Sequence, residues 1–147
     1  MIKPFIYYIN QNLVRKSAPN IIMARSLLDK AEIRLKRISK EEINEQESSI
    51  VFEDIYESLR EALQSLMEMK GYKPYSHEAL ISFLKENKFL PEERVNIVDN
   101  YRILRNNSVY KAEKISLNKC LEALDFAKDT LPTIKNKFEE FVISQLK

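Results

Sequence analysis

Hydrophobic residues recur at three- and four-residue spacing through most of this chain, the mark of helices that each bury one face. From Asn20 to about Ser39 the apolar positions are Ile22, Leu27, Leu28, Ala31, Leu35 and Ile38, with Arg25, Lys30, Arg34 and Arg37 left for the opposite side. Val51, Ile55, Leu59, Leu63, Leu66 and Met67 form a second stripe that ends at Gly71, a residue suited to the left-handed end of a helix. A third, shorter helix is predicted after Lys73-Pro74-Tyr75, capped by Ser76 and carrying Ala79, Leu80, Phe83 and Leu84. Pro91-Glu92-Glu93 opens a fourth, where proline's missing N–H costs nothing and two acids meet the positive helix end; its inner face should hold Val95, Val98, Tyr101 or Arg102, and Leu104. Ser116 caps a last helix with Leu117, Leu121, Leu124, Leu131, Ile134, Phe138, Phe141 and Val142 inward, which Pro132 should kink or split. A short amphipathic helix over Phe5 to Lys16 precedes all of these, and the charged stretch from Lys40 to Glu47 reads as either a turn or the solvated first turns of the next helix.

The pattern predicts an all-α protein: an antiparallel up-and-down helical bundle of about five helices on residues 19–147, with an additional N-terminal helical extension on residues 1–18. A single glycine and 31% charged residues in 147 favour long helices with short connections, and 44% hydrophobic residues can fill one core. Charge narrows the function classes only a little. Twenty-four basic and 22 acidic residues give a net charge of +2, so any contact with nucleic acid must be local. Cys120 is the only cysteine, which excludes an internal disulfide and makes the cytoplasm the expected compartment. The first ten residues are apolar in part but interrupted by polar ones, and read as neither signal peptide nor membrane span. No phosphate-binding glycine loop, zinc-spaced cysteine cluster or serine–histidine–acid arrangement is present, so no metal or cofactor is expected.

Chemistry concentrates in Tyr101-Arg102-Ile103-Leu104-Arg105-Asn106-Asn107-Ser108-Val109-Tyr110, where cations and paired amides meet at the end of an amphipathic helix. Arg105 carries a permanent charge on a planar fork that matches phosphate oxygens, although a nearby acid or carbonyl would occupy it equally well. Arg102 lies one turn earlier and either extends that cationic face or pairs with Glu92, Glu93 or Asp99, the commoner outcome. Asn106 and Asn107 are candidate ligand contacts, and Asn106 would alternatively hold Arg105 or cap the helix end. Tyr110 could donate to phosphate or stack on a base, while a tyrosine packed in the bundle is the commoner case. His77, the only histidine, stands at a helix start, where a structural role is commoner than an accessory catalytic one.

Leu104-Arg105-Asn106-Asn107-Ser108-Val109-Tyr110 resembles the signature of the HEPN family (higher-eukaryote and prokaryote nucleotide-binding domains), in which an arginine, usually followed by a polar residue, precedes a histidine. Tyr110 stands in the histidine's place. Gly71-Tyr72-Lys73-Pro74-Tyr75-Ser76-His77-Glu78-Ala79 is similar to a loop-to-helix segment of an archaeal and bacterial branch of that family, in which tyrosine at the histidine position is familiar. The likeness extends over roughly residues 20 to 135 in the order of elements. It implies a nucleotide- or RNA-binding module, partner of a minimal nucleotidyltransferase in a toxin–antitoxin-like pair and commonly a homodimer whose motif helices face a shared cleft.

In active family members the arginine and histidine cleave RNA without metal. Cleavage needs a base for the 2′-hydroxyl proton, and a tyrosine that titrates near about pH 10 serves poorly. Weak or absent nuclease activity is therefore the expectation, with Arg105 and Tyr110 as the catalytic pair if any remains. The alternatives are a metal-independent ribonuclease that recruits His77 or Tyr110 in an altered role, and a structural adaptor that docks a partner protein through exposed N-terminal residues such as Phe5, Tyr7 and Tyr8. Hydroxyls near such motifs are also candidate acceptors of a nucleotidyl group, which would give Tyr110 a second role.

Overall fold

The computed structural model describes residues 1–146 and is an all-α helical bundle with one short ribbon. In chain order the elements are α1 (Phe5–Asn10), β1 (Val14–Lys16), α2 (Ile21–Ser39), α3 (Ser48–Met69), β2 (Tyr72–Pro74), α4 (His77–Asn87), α5 (Glu92–Lys111) and α6 (Leu117–Gln145). Among the described residues no helix is long and apolar enough to cross a membrane.

The central helix is α3, and its sequence explains why. Its predicted stripe of Val51, Ile55, Leu59, Leu63, Leu66 and Met67 is buried, and so are Phe52, Tyr56, Ala62 and Met69 beside it. Apolar residues thus surround most of the helix, as in a helix that packs on several sides. On one side α2 runs antiparallel to it, pinned where the Ser58 hydroxyl donates to the Ala31 carbonyl (2.8 Å) and where buried Glu61 takes Arg34 (2.9 Å) and Lys30 (3.1 Å). On another side α5 is antiparallel too, with Phe52 and Tyr101 edge to face at 5.5 Å and the Ser108 hydroxyl donating to Glu53 (2.8 Å). The last helix, α6, runs unbroken through Pro132, which is exposed, so the carbonyl one turn earlier meets water rather than a buried void. The split allowed for at that proline does not occur.

Ser76 and Ser116 cap α4 and α6 as expected, and Asn20, not anticipated as a cap, closes the start of α2. Asn20 accepts from the Met23 N–H (3.0 Å), Ser76 from Glu78 and Ala79, and Ser116 from Lys119. Pro19, a residue type suited to a helix start, lies outside α2, and Asn20 is the cap.

The N-terminal segment departs from expectation. A helix over Phe5 to Lys16 is replaced by α1 and β1, because Asn12 takes a left-handed conformation (φ 59°) that a continuing helix does not allow. Val14, Arg15 and Lys16 then pair antiparallel with Pro74, Lys73 and Tyr72. Phe5 and Tyr8, which the adaptor alternative requires to be exposed, are buried at 7% and 1% exposure and join the main core with Val14; of Phe5, Tyr7 and Tyr8 only Tyr7 is exposed. Phe5, Tyr8 and Val14 thus tie the N-terminal segment to the core of the bundle.

Two stripe residues also face the other way: Ile22 and Leu121 are exposed, while Ala24, Cys120 and Ala123 take the buried positions. A small residue against a neighbouring helix permits closer approach than a large one, so packing distance overrides hydropathy there.

The ribbon also sets where α4 begins. Extended chain advances about 3.3 Å per residue against about 1.5 Å in a helix, so the few residues from Tyr72 to Ser76 carry the backbone back over several turns of α3. The next helix, α4, therefore starts beside Tyr56 and ends beside Lys70, parallel to α3. Gly71 makes the reversal: it has φ +88°, its carbonyl accepts from the Ser17 N–H (2.7 Å), and a Cβ there would run into the Ser17 carbonyl oxygen.

Candidate functional site

The first turn of α4 and the C-terminal half of α5 enclose a surface cleft of about 200 Å³, lined by Ser76, His77, Glu78, Arg102, Arg105, Asn106 and Tyr110. Five of the six residues singled out in the sequence therefore meet in one place. Asn107 is the exception; its carbonyl accepts the N–H groups of Ala112 and Glu113, which closes the end of α5.

The two arginines differ in what they already hold. Arg102 is largely covered, donates to Asp99 (2.8 Å) and lies 3.7 Å from Glu78. The pairing with Asp99 anticipated for it is present. Arg105 has no carboxylate partner among the described residues; it donates to the Asn106 side-chain oxygen (3.1 Å), so Asn106 orients the guanidinium without neutralising it. Asn106 lies inside α5, which continues to Lys111, and so does not cap the helix end. One formal positive charge is thus left open to the cleft.

Tyr110 is 74% exposed, which overturns the expectation that it packs in the bundle. Its ring sits 5.9 Å from the Arg105 guanidinium, within the reach of a weak cation–π contact. The ring keeps most of its surface open to a ligand.

His77 was the residue whose place sequence left most open. It lines the same cleft as Arg105 although 28 positions separate them, and this follows from the return of the chain along β2. Its ring stacks on Tyr56 (centroids 5.8 Å apart, 23° between planes), and Tyr56 Oη lies 3.0 Å from His77 Nδ1. Burial pushes the His77 pKa below 6.5, and the guanidiniums of Arg60, Arg105 and Arg102 push it the same way against a weaker pull from Glu57. The imidazole is consequently neutral at neutral pH. Burial also raises the Tyr56 hydroxyl, to about 12, so it remains protonated. When Tyr56 donates, Nε2 of His77 carries the proton and is a donor; in the opposite tautomer Nδ1 donates to Tyr56 and Nε2 is a base.

Tyr56 and Arg60 do not stand out as site residues in the sequence. A tyrosine within the apolar stripe of α3 was the available signal, since a buried phenol needs a partner for its hydroxyl. Arg60 is held by Glu57 and Gln64 on its own helix and lines a smaller adjoining cleft of about 140 Å³ with Gln64, Pro74, Tyr75, Ser76, His77 and Leu80.

No family model matches the chain, and neither a curated protein nor a solved structure matches it.

Proposed function

We propose that this chain is a HEPN-like module that binds nucleotide or RNA by placing a phosphate on Arg105. The observation that carries the reading is the open charge of Arg105, held by Asn106 and flanked by His77 and Tyr110 in a cleft whose other arginine is already paired. A guanidinium without a carboxylate, beside a neutral imidazole and an exposed aromatic ring, offers charge, hydrogen bonds and a stacking face to a nucleotide. The sequence likeness around Arg105 and Ser76 supports the family, and the all-α bundle agrees with it. On this reading the protein works in the cytoplasm as a homodimer and as the partner of a minimal nucleotidyltransferase in a toxin–antitoxin-like pair, with Tyr110 also a candidate acceptor of a nucleotidyl group.

A second reading, a metal-independent ribonuclease, is favoured by the position of His77. In-line cleavage requires a base to take the 2′-hydroxyl proton while the 2′-oxygen attacks phosphorus, a cation for the phosphorane, and a proton for the departing 5′-oxygen. Neutral His77 is suited to take that proton at Nε2 and Arg105 to hold the phosphorane charge, while the departing 5′-oxygen takes its proton from water. The tyrosine in the family's histidine position argues for the binding module, and the imidazole supplied by another helix argues for the nuclease.

One experiment separates them. Single-stranded RNA is incubated with wild type, Arg105→Ala and His77→Ala in chelator, then run on native and denaturing gels. RNA shifted but intact, with the shift lost in Arg105→Ala, is the expected result. Cleavage by wild type that disappears in His77→Ala would establish the ribonuclease instead. RNA neither shifted nor cleaved by wild type would contradict both readings.

A further inference from the structure

The cleft at Arg105 and the smaller cleft at Arg60 share Ser76 and His77 as a common wall. Each carries one exposed tyrosine at its rim: Tyr110, 74% exposed, on the Arg105 side and Tyr75, 56% exposed, on the other. The two sides differ in charge. Arg105 is open, whereas Arg60 is tied to Glu57 and Gln64, so only the first side offers an uncompensated cation. The second side offers an aromatic ring, Pro74 and the Gln64 amide, surfaces that suit a nucleobase and give a phosphate no net charge to bind.

We infer that Tyr75 is the platform of a second base subsite, so that the site takes a single strand across His77 rather than one nucleotide. A phosphate rests on Arg105, the base on one side of it stacks on Tyr110, and the neighbouring base stacks on Tyr75. The inference rests on the phosphate-binding reading of Arg105 and adds to it a requirement for two linked bases. Tyr75 suits this role because its backbone is fixed while its ring is free. Its N–H donates to the Leu13 carbonyl (2.8 Å) next to the β1–β2 ribbon, and the side chain stands out at the start of the turn into α4. A platform whose backbone is already ordered loses little freedom on binding.

The test uses adenosine monophosphate, the 2′-O-methyl dinucleotide ApA and a 2′-O-methyl hexa-adenylate, which cannot be cleaved through a 2′-hydroxyl. Their affinities are measured by titration calorimetry on wild type, Tyr75→Ala, Tyr75→Phe and Arg105→Ala. Tyr75→Ala should weaken the dinucleotide and hexanucleotide roughly fivefold to a hundredfold, the range of one lost base–aromatic stack, and leave the mononucleotide unchanged. Tyr75→Phe should match wild type, since stacking needs the ring and not the hydroxyl. Arg105→Ala should weaken all three. Wild-type affinity for the dinucleotide in Tyr75→Ala, with Arg105→Ala still impaired, would overturn the second subsite and leave the phosphate site standing. Equal loss of all three ligands in Tyr75→Ala would also overturn it, and no binding by wild type would overturn both.

Discussion

Tyr56 and His77 are joined by a 3.0 Å hydrogen bond between Oη and Nδ1 with their rings stacked, and this contact fixes the imidazole next to Arg105. Tyr56 is 1% exposed, so the hydroxyl has no water to fall back on. Tyr56→Phe should therefore lower stability by about 1 kcal/mol, the usual worth of one buried hydrogen bond. It should also release His77 to other rotamers, read as line broadening of its ring signals in proton–nitrogen spectra.

The titration of His77 is directly observable because it is the only histidine. Its folded pKa lies below the ordinary 6.5, so the folded state binds fewer protons than the unfolded one as the pH falls past that value. The stabilisation contributed by the neutral ring is complete above pH 6.5 and is lost as the pH drops through the folded pKa. A phosphate ligand beside the ring favours its charged form, so saturating RNA should raise the His77 pKa, and affinity should increase as the solution is acidified. An NMR titration with and without RNA checks both directions; an unchanged pKa on binding would place the phosphate elsewhere.

Arg102 and Arg105 sit one turn apart and should behave oppositely. Arg102 is 12% exposed at its side chain and holds Asp99, which is 20% exposed, so Arg102→Ala strands a largely covered carboxylate and should cost about 1 kcal/mol in denaturant unfolding. Arg105 holds only a neutral amide, so Arg105→Ala should change stability by no more than about 0.5 kcal/mol. The stability loss belongs to Arg102 and the binding loss to Arg105.

Gly71→Ala tests the turn that brings α4 to the site. The added methyl meets the Ser17 carbonyl at a left-handed backbone position, and strain of that kind costs about 1–3 kcal/mol even without a clash. The substitution should lower the melting temperature and weaken RNA binding together, because β1, β2 and the start of α4 shift as one. Loss of stability with binding intact at low temperature would show that the site does not depend on the turn.

The parts of this fold that were legible in sequence are those set by local rules. The α3 stripe, the caps at Ser76 and Ser116, and Gly71 at a helix end each rest on residues within a turn of one another. Val14–Lys16 was misread because a three-residue strand has no periodicity of its own; Asn12 and the partner strand at Tyr72–Pro74 impose it. Arg105, Asn106 and Tyr110 stood out by spacing, yet the exposure of Tyr110 depends on which way α5 is turned. The apolar residues of α5 do not form a single face: Val95, Val98 and Tyr101 are buried while Ile103 and Val109 are exposed. The approach of His77 and Tyr56 to Arg105 could not be read at all, since it arises from the parallel return of α4 against α3.

The most direct test of the phosphate site is the affinity of single-stranded RNA for wild type and Arg105→Ala, measured by fluorescence anisotropy in chelator across a range of salt. At least a tenfold loss in Arg105→Ala, together with a shallower dependence on salt and an unchanged melting temperature, is the predicted result. Equal affinity and equal salt dependence in the two proteins would contradict the assignment of phosphate binding to Arg105.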